Sequence, residues 1–266
     1  MKERVAVAGI PYDANASFLR GPAKAPSKIR EAFHSDSANY YAESGRDLKS
    51  DSSWTDTGDM DVSGEEAFDT ISAKAQQLAR QFDKTLFLGG DHSVTFPLVR
   101  GLHAAGRNLS ILHIDAHPDL YDDFEGNPHS HASPFARILE SGLAKRLVQI
   151  GIRTLNKHQR EQAKRFGVEI IEMKYWRDDH KFNFEGPVYL SLDIDAIDPA
   201  YAPGVSHHEP GGFTTRQVLH ILQTLKAEVV GADLVEFNPD RDPSGITAML
   251  AGKLYKEMLD LLLRTA

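Results

Sequence analysis

The chain has 266 residues, of which 41% are hydrophobic and 26% are charged, and its formal net charge is −8. The length and composition suit one large α/β domain or two small ones, and the acidic balance argues against a nucleic-acid-binding surface. The sequence contains no cysteine, which excludes disulfide bonds, thiolate catalysis and thiolate zinc sites. Any metal must therefore bind through His, Asp, Glu or backbone oxygen atoms.

The N-terminal segment does not have the pattern of a signal peptide. Residues 1–10, MKERVAVAGI, lack an apolar core of the required length and pass directly into a strand-like run. No apolar run approaches the roughly 18 residues that are needed to cross a membrane. We therefore expect a cytoplasmic protein that binds no membrane.

Strand-like and helix-like segments alternate along the chain. Short apolar runs predict strands at 4–10, 84–90, 110–115, 147–151, 168–172, 187–193 and 228–235. Apolar residues spaced three and four apart, with turn signals between them, predict helices from Pro26 and at 65–82, 94–104, 133–141, 156–166, 214–226 and 245–264. Residues 35–60 are rich in Ser, Asp and Gly and predict a long surface loop. The alternation predicts a mostly parallel sheet with helices on both faces, in a single domain over 1–266.

Metal-ligand side chains follow three of the predicted strands. They are Asp91 and His92 in LGGDHS, Asp115, His117 and Asp119 in HIDAHPDL, and Asp193, Asp195 and Asp198 in YLSLDIDAIDP. Because binding sites in open parallel sheets lie beyond the carboxyl ends of the strands, we expect these side chains to converge. Buried carboxylates without a partner are costly, and a cation is the usual remedy. The three motifs together therefore predict a metal site.

Some of these polar residues have simpler structural roles. His113 lies earlier on its strand, which favours a buried, hydrogen-bonded imidazole behind the ligands. Asp198 precedes Pro199 and is expected to shape a turn, while Asp91 is expected to orient a ligand.

The motifs GGDHS, DAHPD and SLDIDAIDPAYAPG resemble the three signatures of the ureohydrolase superfamily, which includes arginases, agmatinases, guanidinobutyrases and formiminoglutamases. The resemblance runs from GIPYDANASFLRGPAKAPSKIREAF to GADLVEFNPDRD. The segments FEGNPHSHASPFARI and APGVSHHEPGG are most similar to plant-type arginases and their bacterial relatives. The resemblance implies a three-layer α/β/α fold, a binuclear manganese centre and a homo-oligomer, either a trimer or a hexamer.

The resemblance also implies which residues bind the two Mn²⁺ ions, with Asp115 and Asp193 bridging them. The complete set is His92, Asp115, His117, Asp119, Asp193 and Asp195. Four aspartates balance two divalent cations, and a water shared between the ions becomes hydroxide near neutral pH. Such a site also accepts Co²⁺, Ni²⁺ or Zn²⁺.

By the same resemblance, Glu236 pairs with a substrate guanidinium, and His131 relays protons at the mouth of the site. Asp119 is placed to hold the proton of the hydroxide. His129 has no such match and is expected to be an exposed loop residue. The implied reaction is hydrolysis of L-arginine to L-ornithine and urea by a metal-bridging hydroxide.

The part of the substrate far from the guanidinium distinguishes arginine from agmatine. Asn127 and Ser130 are predicted to bind the arginine carboxylate, because arginases use amide and hydroxyl donors from this region. Other features leave agmatine, or another guanidino acid such as guanidinobutyrate, open. They are the acidic residues Asp122, Asp123 and Glu125, and Asn156 where animal arginases have an acidic residue.

Two alternative functions belong to other classes. One is a metal-binding homologue without turnover, and the other is a dimetal phosphoesterase. The full ligand set together with His131 and Glu236 argues against the first. A phosphoesterase would need basic residues for the phosphate, whereas Glu236 and an acidic rim favour a cationic substrate. Urea release from a panel of guanidino compounds would discriminate among these possibilities.

Overall fold

The computed structural model describes residues 4–64 and 66–264. Within these ranges the strands are β1 Val5–Gly9, β2 Trp54–Asp59, β3 Lys84–Leu88, β4 Leu109–Ile114, β5 Ala144–Ile152, β6 Glu169–Glu172, β7 Pro187–Asp193 and β8 Glu228–Val235. They form one sheet in the order β2-β1-β3-β8-β7-β4-β5-β6. Every neighbouring pair is parallel, so all carboxyl ends lie along one edge.

Helices cover both faces of this sheet. They are α1 Ala25–Phe33, α2 Ala67–Gln81, α3 Thr95–Ala104, α4 Pro134–Glu140, α5 Lys157–Phe166, α6 Thr215–Thr224 and α7 Ile246–Leu263. Side chains alternate along a strand, so Val5 and Val7 pack in the same core as α1, α6 and α7, whereas Ala6 and Ala8 pack in the core of α2 to α5. The predicted parallel sheet with helices on both faces is confirmed.

The predicted surface loop over 35–60 is wrong at its C-terminal end, where β2 forms an edge strand. Trp54 pairs with Val5 and Asp56 with Val7 through the backbone, while most side chains of β2 remain exposed. An edge strand with one covered neighbour needs few apolar side chains, so the sequence WTDTGD carries no hydrophobic pattern that predicts it. The predicted helix over 65–82 begins at Ala67, and Glu65 lies outside the described residues.

The last helix is buried on more than one face. Ile246, its first residue, is apolar but 54% exposed, whereas the charged Glu257 and Asp260 are buried. The backbone N–H of Glu43 donates to Glu257 Oε1 at 2.8 Å, and Arg46 Nε donates to Asp260 Oδ1 at 2.9 Å. Glu43 and Arg46 lie in the segment before β2, which therefore covers the polar side of α7. No helix within the described ranges, α7 included, combines the length and apolarity of a membrane span.

Strand order explains why distant motifs meet. The adjacent strands β3, β8, β7 and β4 end near His92, Glu236, Asp193 and Asp115 respectively. Four motifs separated by up to 144 residues in the chain therefore lie side by side at one edge.

Close packing of α2 against α3 gives a test of this fold. A Cβ atom added at Gly101 would lie 2.3 Å from the Ser72 carbonyl oxygen and 2.8 Å from the Ala75 Cβ. We expect Gly101→Ala to lower the free energy of unfolding by about 1–3 kcal/mol, because the helices must separate. Urea denaturation measures the change. The exposed His103 on the same helix provides a control, and His103→Ala should change stability by less than about 0.5 kcal/mol. Equal stability of the two variants would contradict the observed helix contact.

Candidate metal centre

A buried imidazole nitrogen lies among three carboxylates at the centre of the sheet edge. His92 Nδ1 is 3.1 Å from Asp115 Oδ2, 3.1 Å from Asp119 Oδ2 and 3.1 Å from Asp193 Oδ2. All four residues are buried. All four belong to the set of residues that the resemblance predicts to bind metal, and the structure brings them together.

The hydrogen bonds of His92 determine which nitrogen carries its proton. Ser191 Oγ donates its hydrogen to Asp233 Oδ1 at 2.7 Å, so it accepts from His92 Nε2–H at 2.9 Å. In the neutral ring Nδ1 then carries a lone pair, and this nitrogen has no hydrogen-bond partner within the described chain. A buried lone pair facing three carboxylate oxygens is strongly repulsive. A cation among these four atoms converts the repulsion into attraction, so the residues fit a metal ion.

A second cluster lies beside the first. His117 Nδ1 is 3.0 Å from Asp195 Oδ2 and 3.5 Å from Asp115 Oδ1. The ligand atoms of these three residues all lie within 4.8 Å of one another. Asp115 thus presents one oxygen to each cluster, as a bridging ligand requires.

His113 is close enough to be mistaken for a ligand, but its hydrogen bonds exclude that role. Gln149 Nε2 donates to His113 Nδ1 at 2.9 Å, so His113 carries its proton on Nε2. That proton is donated to Asp115 Oδ2 at 2.7 Å. His113 therefore orients the Asp115 carboxylate and has no free lone pair for a metal.

Local backbone geometry directs the ligands into the site. The Asp115 carboxylate accepts from the His117 backbone N–H at 2.7 Å, and the Asp193 carboxylate accepts from the Asp195 backbone N–H at 2.7 Å. Each strand thus ends in a tight turn that places alternate aspartates on one side. Asp119 and Glu236 have φ values of 49° and 63°, a conformation that costs about 1–3 kcal/mol in non-glycine residues and clusters at functional sites.

Glu236 has one oxygen engaged and one free. Oε1 accepts from the His92 backbone N–H at 2.8 Å and from His131 Nδ1–H at 2.8 Å. Burial alone would raise the pKa of Glu236, but the adjacent His131 and His92 outweigh it and lower the pKa. Within the described chain Oε2 has no hydrogen-bond partner, although Glu236 lines a cavity. The free oxygen is an acceptor for a cationic group.

His131 also contacts Ser17, which sequence reasoning missed. The Ser17 backbone N–H donates to His131 Nε2 at 3.2 Å, and Ser17 Oγ lies 2.7 Å from the same nitrogen. A hydroxyl can donate to a neutral imidazole and accept from a protonated one. Burial acts to lower the pKa of His131, but Glu236 raises it to about 9. His131 therefore has partners in both protonation states.

A cavity of about 210 Å³ opens beside the clusters. Its lining comprises Ser17, His117, Asp119, Tyr121, Phe124, His131, Ala132, Thr154, Gln159, Asp193, Asp195, His207 and Glu236. Four of the six predicted ligands and both His131 and Glu236 thus border the same space. His207 lies in the segment APGVSHHEPGG, whose paired histidines were the only sequence signal for it. Burial lowers the pKa of His207, and the nearby charge of His131 lowers it further.

Two predicted substrate-binding residues do not reach this cavity. Asn127 Nδ2 donates to Asn15 Oδ1 at 3.2 Å, and Asn127 Oδ1 accepts from the His129 N–H at 2.9 Å. Ser130 is buried, with 2% of its surface exposed. The assignment of Asn127 and Ser130 to the substrate carboxylate therefore stays a prediction. Tyr121 and Thr154 are among the residues that line the cavity.

The remaining polar residues have structural contacts. Asp91 accepts hydrogen bonds from Ser93 and from the Asn15 backbone. Asp198 shapes a turn by accepting from the Ala200 backbone N–H. His129 is exposed.

The chain is similar to arginases in both sequence and structure. Residues 3–260 match the model of the Arginase family. "Arginase 1, mitochondrial" of Arabidopsis thaliana is 47% identical, with 97% of this chain and 80% of the relative covered. The N(1)-aminopropylagmatine ureohydrolase of Thermus thermophilus is 36% identical over 89% of this chain and 83% of its own length. The solved arginase of Medicago truncatula is 43% identical, with a TM-score of 0.92 and coverage of 98% of this chain and 88% of its own.

The same comparison contradicts the expected cytoplasmic location. Plant relatives at 47% and 44% identity are named as mitochondrial and as chloroplastic/mitochondrial arginases. The composition of a mature domain is similar in these compartments, so the segment MKERVAVAGI could not distinguish them.

Proposed function

Because the chain belongs to the arginase family, we propose that it is a binuclear manganese hydrolase that converts L-arginine to L-ornithine and urea. The single observation that carries the proposal is the free Oε2 of Glu236, which borders a cavity beside two clusters of metal-type ligands. A guanidinium bound to this oxygen would lie against the metal ligands.

The residues that would hold the metals follow from the two clusters. One ion would bind His92, Asp115, Asp119 and Asp193, and the other would bind Asp115, His117, Asp193 and Asp195. Two divalent cations there would lower the pKa of water, so that hydroxide is available near neutral pH. Oxygen and imidazole ligands suit Mn²⁺, and Co²⁺, Ni²⁺ or Zn²⁺ are possible substitutes.

Side chains of this protein would bind the substrate and move its protons. Glu236 Oε2 would pair with the guanidinium, while its Oε1 is held by His92 and His131. The Asp119 carboxylate would hold the proton lost by the attacking water. His131 would supply a proton to the leaving amine, and Ser17 Oγ would keep its Nε2 hydrogen-bonded before and after transfer.

Urea release tests the proposal directly. The protein would be incubated with Mn²⁺ and with L-arginine, agmatine or guanidinobutyrate, and urea would be measured by colour reaction. We expect release that requires Mn²⁺ and is lost in Glu236→Gln, which removes the charge but keeps the shape. Absence of urea from every compound would leave a metal-binding protein without turnover. The trimer or hexamer implied by the resemblance is part of the proposal, and analytical ultracentrifugation measures it.

The first prediction of this proposal concerns the ligands. Asp193→Asn should lower bound metal below two equivalents and abolish activity, because it removes one carboxylate that both ions would share. Metal analysis of the purified variant measures the loss. The exposed Asp122 is a control from the same edge, and Asp122→Asn should retain both ions. Two tightly held equivalents in Asp193→Asn would refute its role as a ligand.

The second prediction concerns proton transfer. His131→Asn should leave metal content unchanged and reduce kcat by about 10²–10⁴, the usual contribution of a general acid–base group. Steady-state kinetics measures the effect. His129→Asn, at an exposed position on the same loop, should retain the wild-type rate. An unchanged rate in His131→Asn would mean that the leaving amine takes its proton from elsewhere.

The third prediction concerns the substrate. Asn156 Nδ2 donates to the Tyr121 hydroxyl oxygen at 2.5 Å, which leaves the Tyr121 O–H free to donate at the cavity wall. Such a donor favours the carboxylate that arginine has and agmatine lacks. We expect kcat/KM for L-arginine to exceed that for agmatine by at least about tenfold. Putrescine as the preferred product would instead favour an agmatinase, in keeping with the aminopropylagmatine relative.

A further inference from the structure

His207 is an imidazole in the cavity wall, and neither of its ring nitrogens has a hydrogen-bond partner within the described residues. It lies between the short 3-10 helix Ile194–Ala196 and α6, in a segment that carries none of the proposed ligands. No hydrogen bond joins either ring nitrogen to another residue of the described chain, whereas its neighbour His208 is bonded through Nε2 to the Pro203 carbonyl at 2.7 Å. A half-buried polar ring without a partner is suited to bind a ligand.

The neighbouring rings show where His207 lies relative to the proposed site. Its ring centroid is 5.4 Å from that of His131 and 5.7 Å from that of His117. His131 is bonded to Glu236, and His117 belongs to the second cluster. His207 therefore covers the gap between the carboxylate that would bind the substrate and the metal ligands. Phe18 packs against His207, with 5.6 Å between the two ring centroids.

A guanidinium in this gap needs more acceptors than Glu236 provides. A substituted guanidinium has five N–H donors, and the single free oxygen of Glu236 can accept two of them. Two other polar atoms of the cavity wall already have partners: Ser17 Oγ is bonded to His131, and Gln159 Oε1 accepts from the Leu120 N–H at 3.5 Å. An N–H withdrawn from water without an acceptor weakens binding.

We propose that His207 accepts a hydrogen bond from the substrate guanidinium and thereby holds it, together with Glu236, over the metal ligands. This inference rests on the proposed function, since it assigns a second contact in the same site. It makes His207 a substrate-binding residue that acts on the reacting end of the substrate and not on its tail.

The experiment compares two replacements that separate the acceptor from the ring. His207→Phe keeps a planar ring and removes both nitrogens, whereas His207→Asn keeps an amide oxygen that can accept. We expect His207→Phe to weaken binding of guanidinium ion to the Mn²⁺-loaded protein by about tenfold, measured by calorimetry at millimolar concentrations. The KM for arginine should rise by a similar factor with a smaller change in kcat. His207→Asn should stay within about threefold of the wild type.

Metal analysis and a matched control complete the test. Both variants should retain the metal content of the wild type, and His208→Phe on the same loop should bind guanidinium as the wild type does. The proposal would be overturned if His207→Phe bound guanidinium with wild-type affinity. It would also be overturned if His207→Asn, or the control His208→Phe, lost as much guanidinium affinity as His207→Phe. Failure of the proposed function can be told apart from failure of this inference. If the protein releases no urea, binding of guanidinium ion can still be measured by calorimetry.

Discussion

Four aspartates are held around two histidines at the carboxyl edge of the sheet, and their mutual repulsion is the constraint that the site must satisfy. His92 Nδ1 faces three carboxylate oxygens at 3.1 Å, and of these only Asp115 Oδ2 accepts from another protein donor within the described chain, His113 Nε2. A single proton on Nδ1 could serve only one of the three oxygens. Divalent cations could serve all of them, so the arrangement is suited to a metal site.

The residues behind the ligands keep this repulsive arrangement in place. Asp233 accepts from Thr95, Tyr189 and Ser191 at 2.7 Å each, and Ser191 in turn sets the tautomer of His92. Gln149 sets the tautomer of His113 in the same way. These side chains lie on neighbouring strands of the sheet or pack against it. Rigid packing therefore fixes which imidazole nitrogen faces the carboxylates.

The proposed substrate contact depends on a different constraint, the strained backbone that follows β4 and β8. Asp119 and Glu236 have positive φ, which ordinary residues adopt only when their surroundings compensate. For Glu236 the compensation is visible, because its Oε1 is fixed by the His92 N–H and by His131. The opposite oxygen is thereby directed into the cavity. The same backbone hydrogen bond joins the proposed guanidinium partner to a proposed metal ligand.

The alternation of strands and helices and the motifs at the strand ends could be predicted from the sequence, because hydrophobic period and residue type are local properties. It could not predict β2, whose polar residues pair only through the backbone of β1. The burial of charged Glu257 and Asp260 in α7 also needed the tertiary structure, because a distant loop supplies their partners. The identity of the residues that line the cavity also needed the tertiary structure. The residues that line the cavity include Ser17 and His207, which come from segments remote from Asp119 in the chain. Side-chain direction in loops depends on contacts between segments, which no local pattern records.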